Sequence, residues 1–283
     1  MSFKILQEKI NAKKNPTVMG LDPKLEYVPG HIRKEPGFGS PGDMIFELNK
    51  GLIDACHDLI PAIKPQSAYY EMYGIDGLIA LKKTAEYAKS KGLYVILDAK
   101  RGDIGATSEA YSAAYLRGDI YDCLTVNPYL GIDGIQPFID DCEKFDKSIF
   151  VLVKTSNKSS GDFQDIIVEG GGTLYEEVAK KVLEWGNADN IGVVIGATYP
   201  QQLSDMRKLM KNTFFLVPGF GAQGGAADDV KPAFDENGEG AIVNSSRAIM
   251  CAWMKPGDGE NFGKYAREEV IRMRDAIMGV IKS

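Results

Sequence analysis

The feature that most constrains the fold of this chain is a regular alternation of short apolar, β-branched runs with longer helical patterns. The alternation occurs eight times along the 283 residues. Short apolar strands that alternate with helices are typical of a parallel sheet covered by helices. Eight units fit a closed barrel better than a doubly wound sheet, which has about five or six strands. The sequence therefore predicts an α/β protein, a single-domain (β/α)8 TIM barrel over residues 1–283.

The predicted elements follow one another in strand–helix pairs. The predicted strands are 17–21, 59–63, 94–97, 123–126, 149–153, 191–195, 214–217 and 241–243. The predicted helices are 43–57, 75–90, 105–117, 132–144, 173–186, 199–211, 227–234 and 262–281. Two segments, 31–43 and 156–172, contain Gly and Ser and are long for barrel connections. We interpret both as insert loops, which either cover the active site or lie on the surface.

Charge and hydropathy exclude several classes of protein. The net charge of -6 argues against a nucleic-acid binder that relies on a strong basic field. No run of about 18 apolar residues suggests a membrane span. The first residues, MSFKILQEKINAKKNP, lack the apolar core of a signal peptide. We therefore expect a cytoplasmic protein with no nucleic-acid or membrane partner.

The cysteines and histidines offer little metal or redox chemistry. The four cysteines are far apart and form no CxxC pair, and the chain has only two histidines. These counts argue against a zinc ribbon, a CxxC redox motif and a histidine-rich metal site. Whatever chemistry occurs here is therefore expected to use lysine and carboxylate groups.

Polar residues at the ends of the predicted strands point to a catalytic site. Asp98 and Lys100 are two residues apart at the end of a strand, so their side chains project to the same side. Active sites of such barrels lie at the carboxyl ends of the strands, where Lys64 adds a second cation. The alternative is that Asp98 and Lys100 form a simple ion pair with no catalytic role. A lysine among carboxylates stays protonated, which suits proton donation and the stabilisation of a carbanion.

The glycine-rich segment PGFGAQGG at 218–225 follows the seventh predicted strand. It contains a GxGxxG pattern, but no clear βαβ unit follows, which weakens a dinucleotide-binding interpretation. In barrels, the loops after strands seven and eight commonly bind phosphate. Backbone N–H groups of this segment, the Gln223 amide and Arg247 could together hold a phosphate. A plain turn remains the alternative.

Seven segments resemble, in order, the motifs of the orotidine 5'-phosphate decarboxylase family. The segments are distributed over nearly the whole chain, and the loops have the greater length of the bacterial type-2 branch. A DxKxxD motif alone also occurs in sugar-phosphate relatives, whereas seven motifs in register form a strong resemblance. They are DAKRGDIGAT at 98–107, MGLDP at 19–23, AIKPQ at 62–66, TVNPYLG at 125–131, VKTSN at 153–157, PGFGAQGG at 218–225 and NSSR at 244–247.

This resemblance implies a cofactor-independent homodimer that decarboxylates orotidine 5'-phosphate to UMP, the last step of de novo pyrimidine synthesis. It implies that Lys100 protonates C6 of the pyrimidine as carbon dioxide leaves. It places Asp98 beside the departing carboxylate, and Lys64 against Asp98 and the ribose. It also implies that Asp22 binds the ribose, Ser156 the pyrimidine edge, and Gln223 with Arg247 the phosphate. Pro218 and Ser246, from the PGFGAQGG and NSSR motifs, are further implied substrate-binding residues. Asp103, Ile104 and Thr107 would enter the neighbouring subunit's site.

Three other interpretations use the same residues. A metal-dependent sugar-phosphate lyase or synthase of the same DxKxxD superfamily would bind Mg²⁺ through Asp98, although Lys64 and the NSSR segment argue against it. A Schiff-base aldolase would form an adduct on a lysine. A nucleotide-binding sensor would bind UMP without turnover, which the intact Lys–Asp array disfavours. The decarboxylase is the prediction that we carry forward.

Overall fold

In the computed structural model, eight parallel strands form a closed barrel in the order in which they occur along the chain. The structure describes residues 2–35, 37, 39–197, 200–220 and 227–281. Each strand pairs with the next one, and the eighth strand pairs with the first. The predicted single-domain (β/α)8 barrel is therefore confirmed. Within the described ranges, no helix has both the length and the apolar character needed to span a membrane.

The strands are short, and helices connect them on the outside of the barrel. The strands are β1 Thr17–Leu21, β2 Ala62–Pro65, β3 Tyr94–Arg101, β4 Cys123–Val126, β5 Ser148–Lys154, β6 Ile191–Ile195, β7 Phe215–Pro218 and β8 Ala241–Ser245. The α-helices are α1 Ser2–Lys13, α2 Gly30–Lys34, α3 Pro41–Cys56, α4 Ala68–Glu71, α5 Gly74–Ser90, α6 Gly105–Leu116, α7 Ile132–Phe145, α8 Leu174–Trp185, α9 Pro200–Leu209, α10 Ala227–Val230, α11 Arg247–Met250 and α12 Phe262–Ile281.

Alternation along each strand divides the apolar residues into two cores. In β1, Val18 belongs to the core inside the barrel, whereas Met19 and Leu21 pack against the surrounding helices. The other strands alternate in the same way, because successive side chains point to opposite faces. Residues of the inner face that lie beyond the last apolar layer therefore point into the mouth of the barrel. This places Asp22, at the end of β1, at the carboxyl-end opening.

The opposite end of the barrel is closed by α1, which the sequence analysis did not predict. Its side chains Phe3, Leu6 and Ile10 are buried in the inner core. The Phe3 ring centroid lies 4.9 Å from that of Phe150 and 5.0 Å from that of Phe214. Burial of an apolar helix face of this kind is the main source of stability for a short helix. The barrel is thus sealed at its amino end and open at its carboxyl end.

Two local features refine the predicted boundaries. The strand predicted over 59–63 begins at Ala62 instead, because Pro61 has no N–H to donate to the strand pairing. After β5, the predicted insert contains a 3-10 helix, Lys158–Asp162. The segment that follows is held against the strand end: Lys154 Nζ donates to Asp165 at 2.6 Å, and the Thr155 N–H donates to Gln164 at 2.9 Å.

Candidate active site

The open end of the barrel contains two adjoining cavities. One has a volume of about 440 Å³ and lies over the ends of β1, β7 and β8. The other, of about 350 Å³, lies over β3 to β6. Both are lined by Lys64, Asp98, Ser156 and Pro218. These four predicted residues therefore mark the centre of one continuous site.

Asp98 is held between two lysines at this centre. Lys64 Nζ lies 2.6 Å from Asp98 Oδ2, and Lys100 Nζ lies 2.6 Å from Asp98 Oδ1. The Lys64 side chain is 5% exposed, whereas that of Lys100 is 43% exposed. Lys64 is therefore the more deeply buried of the two cations, and Lys100 is the one more open to a molecule in the cavity.

Each charged group of this cluster keeps its neighbour in the charged state. Burial alone would raise the pKa of Asp98, but Lys64 and Lys100 outweigh it and hold the pKa well below its ordinary value. Burial alone would lower the pKa of Lys64, but the carboxylates of Asp98 and Asp22 raise it instead. The cluster is thus an alternating array in the order Asp22, Lys64, Asp98, Lys100. Asp98 is ionised and Lys64 protonated at neutral pH.

The array is a poor binding site for a divalent cation. Each carboxylate oxygen of Asp98 already accepts a hydrogen bond from an ammonium group, and both ammonium groups would repel a metal ion. Among the described residues, no cluster of three or more His, Cys, Asp or Glu side chains is arranged to hold a metal. The charge arrangement therefore gives no support to the metal-dependent alternative.

Asp22 differs from Asp98 although both are acids of the same cluster. Burial is the largest influence and raises the pKa of Asp22, while Lys64 and a hydrogen bond with Ser246 partly oppose it. Asp22 and Ser246 line the larger cavity together with Arg247. A carboxyl and a hydroxyl side by side can both bind sugar hydroxyl groups. This part of the site is therefore suited to a ribose and its phosphate.

The part of the site lined by Ser246 and Asn244 depends on a glycine in β1. A Cβ atom at Gly20 would lie 1.9 Å from Ser246 Oγ and 3.0 Å from Asn244 Nδ2. Only glycine lets the end of β8 approach β1 so closely. Pro218 and Arg247 line the same cavity. Gln223, which is predicted to bind the phosphate, lies outside the described residues.

The predicted pyrimidine contact also depends on a glycine. Ser156 lines both cavities. A Cβ atom at Gly196, directly after β6, would lie 2.9 Å from the Ser156 backbone, so the absence of a side chain there allows the chain after β5 to cross. The position of Ser156 over the barrel centre thus depends on a residue at the end of the next strand.

Three predicted residues lie apart from the Asp98 array within this chain. The Asp103 carboxylate accepts a hydrogen bond from the Ile104 N–H, and neither residue lines the two cavities. Ile104 and Thr107 are exposed at the start of α6. Their side chains are therefore free to contact a neighbouring molecule.

The structure also adds residues that the sequence analysis did not select. Lys24, Tyr27, Gln66 and Tyr69 line the larger cavity, and Thr125 lines the smaller one. Thr125 could have been found, since it is a polar residue on the inner face at the end of a predicted strand. The other four lie in connections after β1 and β2, where periodicity gives no signal.

Comparisons with known proteins point to one family. The model of the "Orotidine 5'-phosphate decarboxylase / HUMPS family" matches residues 38–256. The protein named orotidine 5'-phosphate decarboxylase from Clostridium acetobutylicum is 43% identical over 274 residues, which cover 94% of this chain and 95% of that protein. Its namesake from Rhodopirellula baltica is 42% identical over 285 residues and covers 93% and 94%, respectively. The structure of Leishmania donovani OMP decarboxylase is similar with a TM-score of 0.78 and 31% identity, covering 97% of this chain and 99% of that one.

Proposed function

Because this chain belongs to the orotidine 5'-phosphate decarboxylase / HUMPS family, we propose that its lysine–aspartate array performs the decarboxylation of orotidine 5'-phosphate to UMP. The observation that carries this proposal is the position of Asp98 between a buried lysine and a lysine that faces the cavity. The array offers a fixed negative charge and a proton donor next to each other. Protonation of the carbon that loses carbon dioxide needs a proton donor, and the negative charge holds that donor in place and protonated.

In the proposed reaction, the bond between C6 and the carboxylate carbon breaks and carbon dioxide leaves. The electron pair stays on C6 in the plane of the pyrimidine ring, where it cannot delocalise into the π-system. Lys100 Nζ then gives a proton to C6, which forms UMP, and the neutral amine regains a proton from solvent. Asp98 keeps the Lys100 ammonium group in place and repels the substrate carboxylate.

Electrostatics from one lysine do not account for the whole rate enhancement. A unit charge about 4 Å from the developing carbanion contributes roughly 4 kcal/mol at an effective dielectric constant of 20. Enzymes typically lower barriers by about 8–23 kcal/mol. Binding energy from the phosphate and ribose must therefore hold the substrate against the array. We assign the phosphate to Arg247 and Gln223, and the ribose to Asp22, Ser246 and Lys64.

We further propose that a second copy of the chain completes each site. Asp103, Ile104 and Thr107 line neither cavity of their own chain, and Ile104 and Thr107 are exposed. In a homodimer they would enter the neighbouring site. Mixing inactive Asp103→Ala and Lys100→Ala proteins under subunit exchange should then restore activity, because a hybrid dimer has one intact site. No recovery despite proven exchange would contradict the shared site.

The first experiment follows the loss of orotidine 5'-phosphate absorbance in buffer with EDTA for the native protein and for Lys100→Ala. We expect turnover by the native protein and loss of activity in the variant. Lys91→Ala is the matched control, since Lys91 also contacts an aspartate, at 2.7 Å, but lies on the surface. An active Lys100→Ala protein would refute the proposed proton donor. Activity that requires added Mg²⁺ would refute the metal-independent mechanism.

A further inference from the structure

The pairing of β3 with β4 is interrupted beside the Asp98 array. Ile96 pairs with Cys123 and Leu97 with Leu124, but the next pair is Arg101 with Val126. Asp98, Ala99 and Lys100 therefore all lie opposite a single residue of β4, Thr125. Such a bulge leaves backbone groups without their ordinary partners on the neighbouring strand.

The Thr125 side chain takes the place of the missing strand pairing. Its hydroxyl oxygen accepts the Lys100 backbone N–H at 2.9 Å, and the hydroxyl donates to Asp98 Oδ1 at 2.9 Å. The direction of both bonds is fixed, since a backbone N–H can only donate and an ionised carboxylate can only accept. One hydroxyl thus connects the backbone of one array member to the carboxylate of the other.

The backbone of Lys100 needs this support. Its φ angle of 48° lies in the left-handed region, which residues other than glycine rarely adopt. Such a conformation persists only when the surrounding structure holds it. Thr125 is 1% exposed, so its hydroxyl has no competing contact with bulk water. The array is consequently held in place from β4 as well as from β3.

We propose that Thr125 is a positioning residue for the decarboxylation, whose hydroxyl holds the Lys100 backbone and the Asp98 carboxylate in the arrangement that directs Lys100 Nζ at the substrate. This inference rests on the proposed role of Lys100. Thr125 need not touch the reacting atoms. Its effect is on the chemical step, because substrate affinity comes largely from the ribose and phosphate groups on the other side of the site.

The test compares Thr125→Val with Thr125→Ser. Valine keeps the side-chain shape and removes the hydroxyl, whereas serine keeps the hydroxyl and removes a methyl group. Loss of a hydrogen bond to a charged group predicts a kcat about 10- to 100-fold lower for Thr125→Val. We expect KM and the Kd of UMP to change less than about threefold in both variants, since the ribose and phosphate contacts that bind substrate and product are unaffected. Thr125→Ser should retain most of kcat.

Thr17→Val is the matched control. Thr17 is also a fully buried threonine on a barrel strand, and its hydroxyl has no hydrogen-bond partner among the residues that the structure describes. We expect native kcat for Thr17→Val. Should Thr125→Val not fold, as judged by circular dichroism and Tm, Thr125→Ala and Thr125→Ser make the same comparison.

The outcomes separate this inference from the proposed function. A kcat for Thr125→Val within about twofold of native would overturn the role of Thr125, while an inactive Lys100→Ala in the same assay would leave the proton donor standing. An equal loss in the Ser and Val variants would also overturn it, because the hydroxyl would then not be the group that matters. Activity retained by Lys100→Ala would refute the proposed function itself.

Discussion

Replacing Lys64 by methionine tests whether the array is held together by charge. Methionine fills a similar volume without the ammonium group, and it leaves Asp98 buried with Lys100 and Thr125 on one oxygen only. At the observed 2.6 Å, the attraction between Lys64 and Asp98 is roughly 6 kcal/mol at an effective dielectric constant of 20. Removal of Lys64 also removes the cost of burying its own charge. We therefore expect a loss of about 3 kcal/mol in the free energy of unfolding near neutral pH.

The loss should depend on pH in a specific direction. In the native protein the pKa of Asp98 is lowered, so the ionised carboxylate stabilises the fold above its unfolded pKa and this contribution is lost only at strong acidity. Without Lys64, burial is opposed only by Lys100 and by the hydrogen bond from Thr125, and the pKa of Asp98 rises. The pKa of Asp22, which burial already raises, rises further. Both acids then take up protons at higher pH, and the deficit of the variant shrinks as the pH falls.

The assay is urea unfolding of the native protein and Lys64→Met at about pH 7 and about pH 5. Lys91→Met is the matched control, because Lys91 lies 2.7 Å from Asp54 but the two side chains are 31% and 42% exposed. An exposed pair of this kind should contribute less than about 1 kcal/mol. A loss for Lys64→Met no larger than that of the control, or one that is the same at both pH values, would refute the electrostatic account.

Three further variants test other parts of the molecule. Arg247→Ala should lower kcat/KM more than about tenfold through lost phosphate binding, and steady-state kinetics equal to those of the native protein would remove Arg247 from the phosphate site. Gly20→Ala should cost about 1–3 kcal/mol in urea unfolding and lower kcat/KM, because the new Cβ would displace Ser246, whereas Gly30→Ala, with open space around it, should change neither. Phe3→Ala should cost about 3–5 kcal/mol of stability while the folded protein keeps its kcat, and a lowered kcat would contradict a purely structural role for α1.

The barrel could be predicted because each strand and helix carries its own period. Strands β1, β4 and β6 and the last helix, α12, have the bounds that the pattern indicated. At β2 the apolar run 59–63 predicts a strand that begins too early, because Pro61 interrupts the hydrogen bonding. Helix α1 is not predicted, because charged residues are interspersed among its apolar ones. Phe3, Leu6 and Ile10 nevertheless have the spacing of a helix face.

Less of the active site than of the barrel can be predicted from the sequence. Alternation correctly placed Asp98 and Lys100 on one side, yet nothing in DAK indicates a bulge or a left-handed lysine. Such conformations depend on the neighbouring strand, here on Thr125, and tertiary contacts of this kind leave no local pattern. The separation of Asp103 from Asp98 has a similar cause, because its place is set by the turn into α6 and not by strand alternation.

The closing of the amino end of the barrel by α1 also bears on the order of folding during synthesis. Helix α1 leaves the ribosome before any strand of the barrel, yet Phe3 packs against Phe150 and Phe214. At about 5–20 residues per second, roughly 10 to 40 seconds separate the synthesis of Phe3 from that of Phe214. Until Phe214 is made, the final packing of Phe3 is incomplete. An element made early is thus fully buried only late, and a nascent chain halted before β7 leaves part of this face available to chaperones.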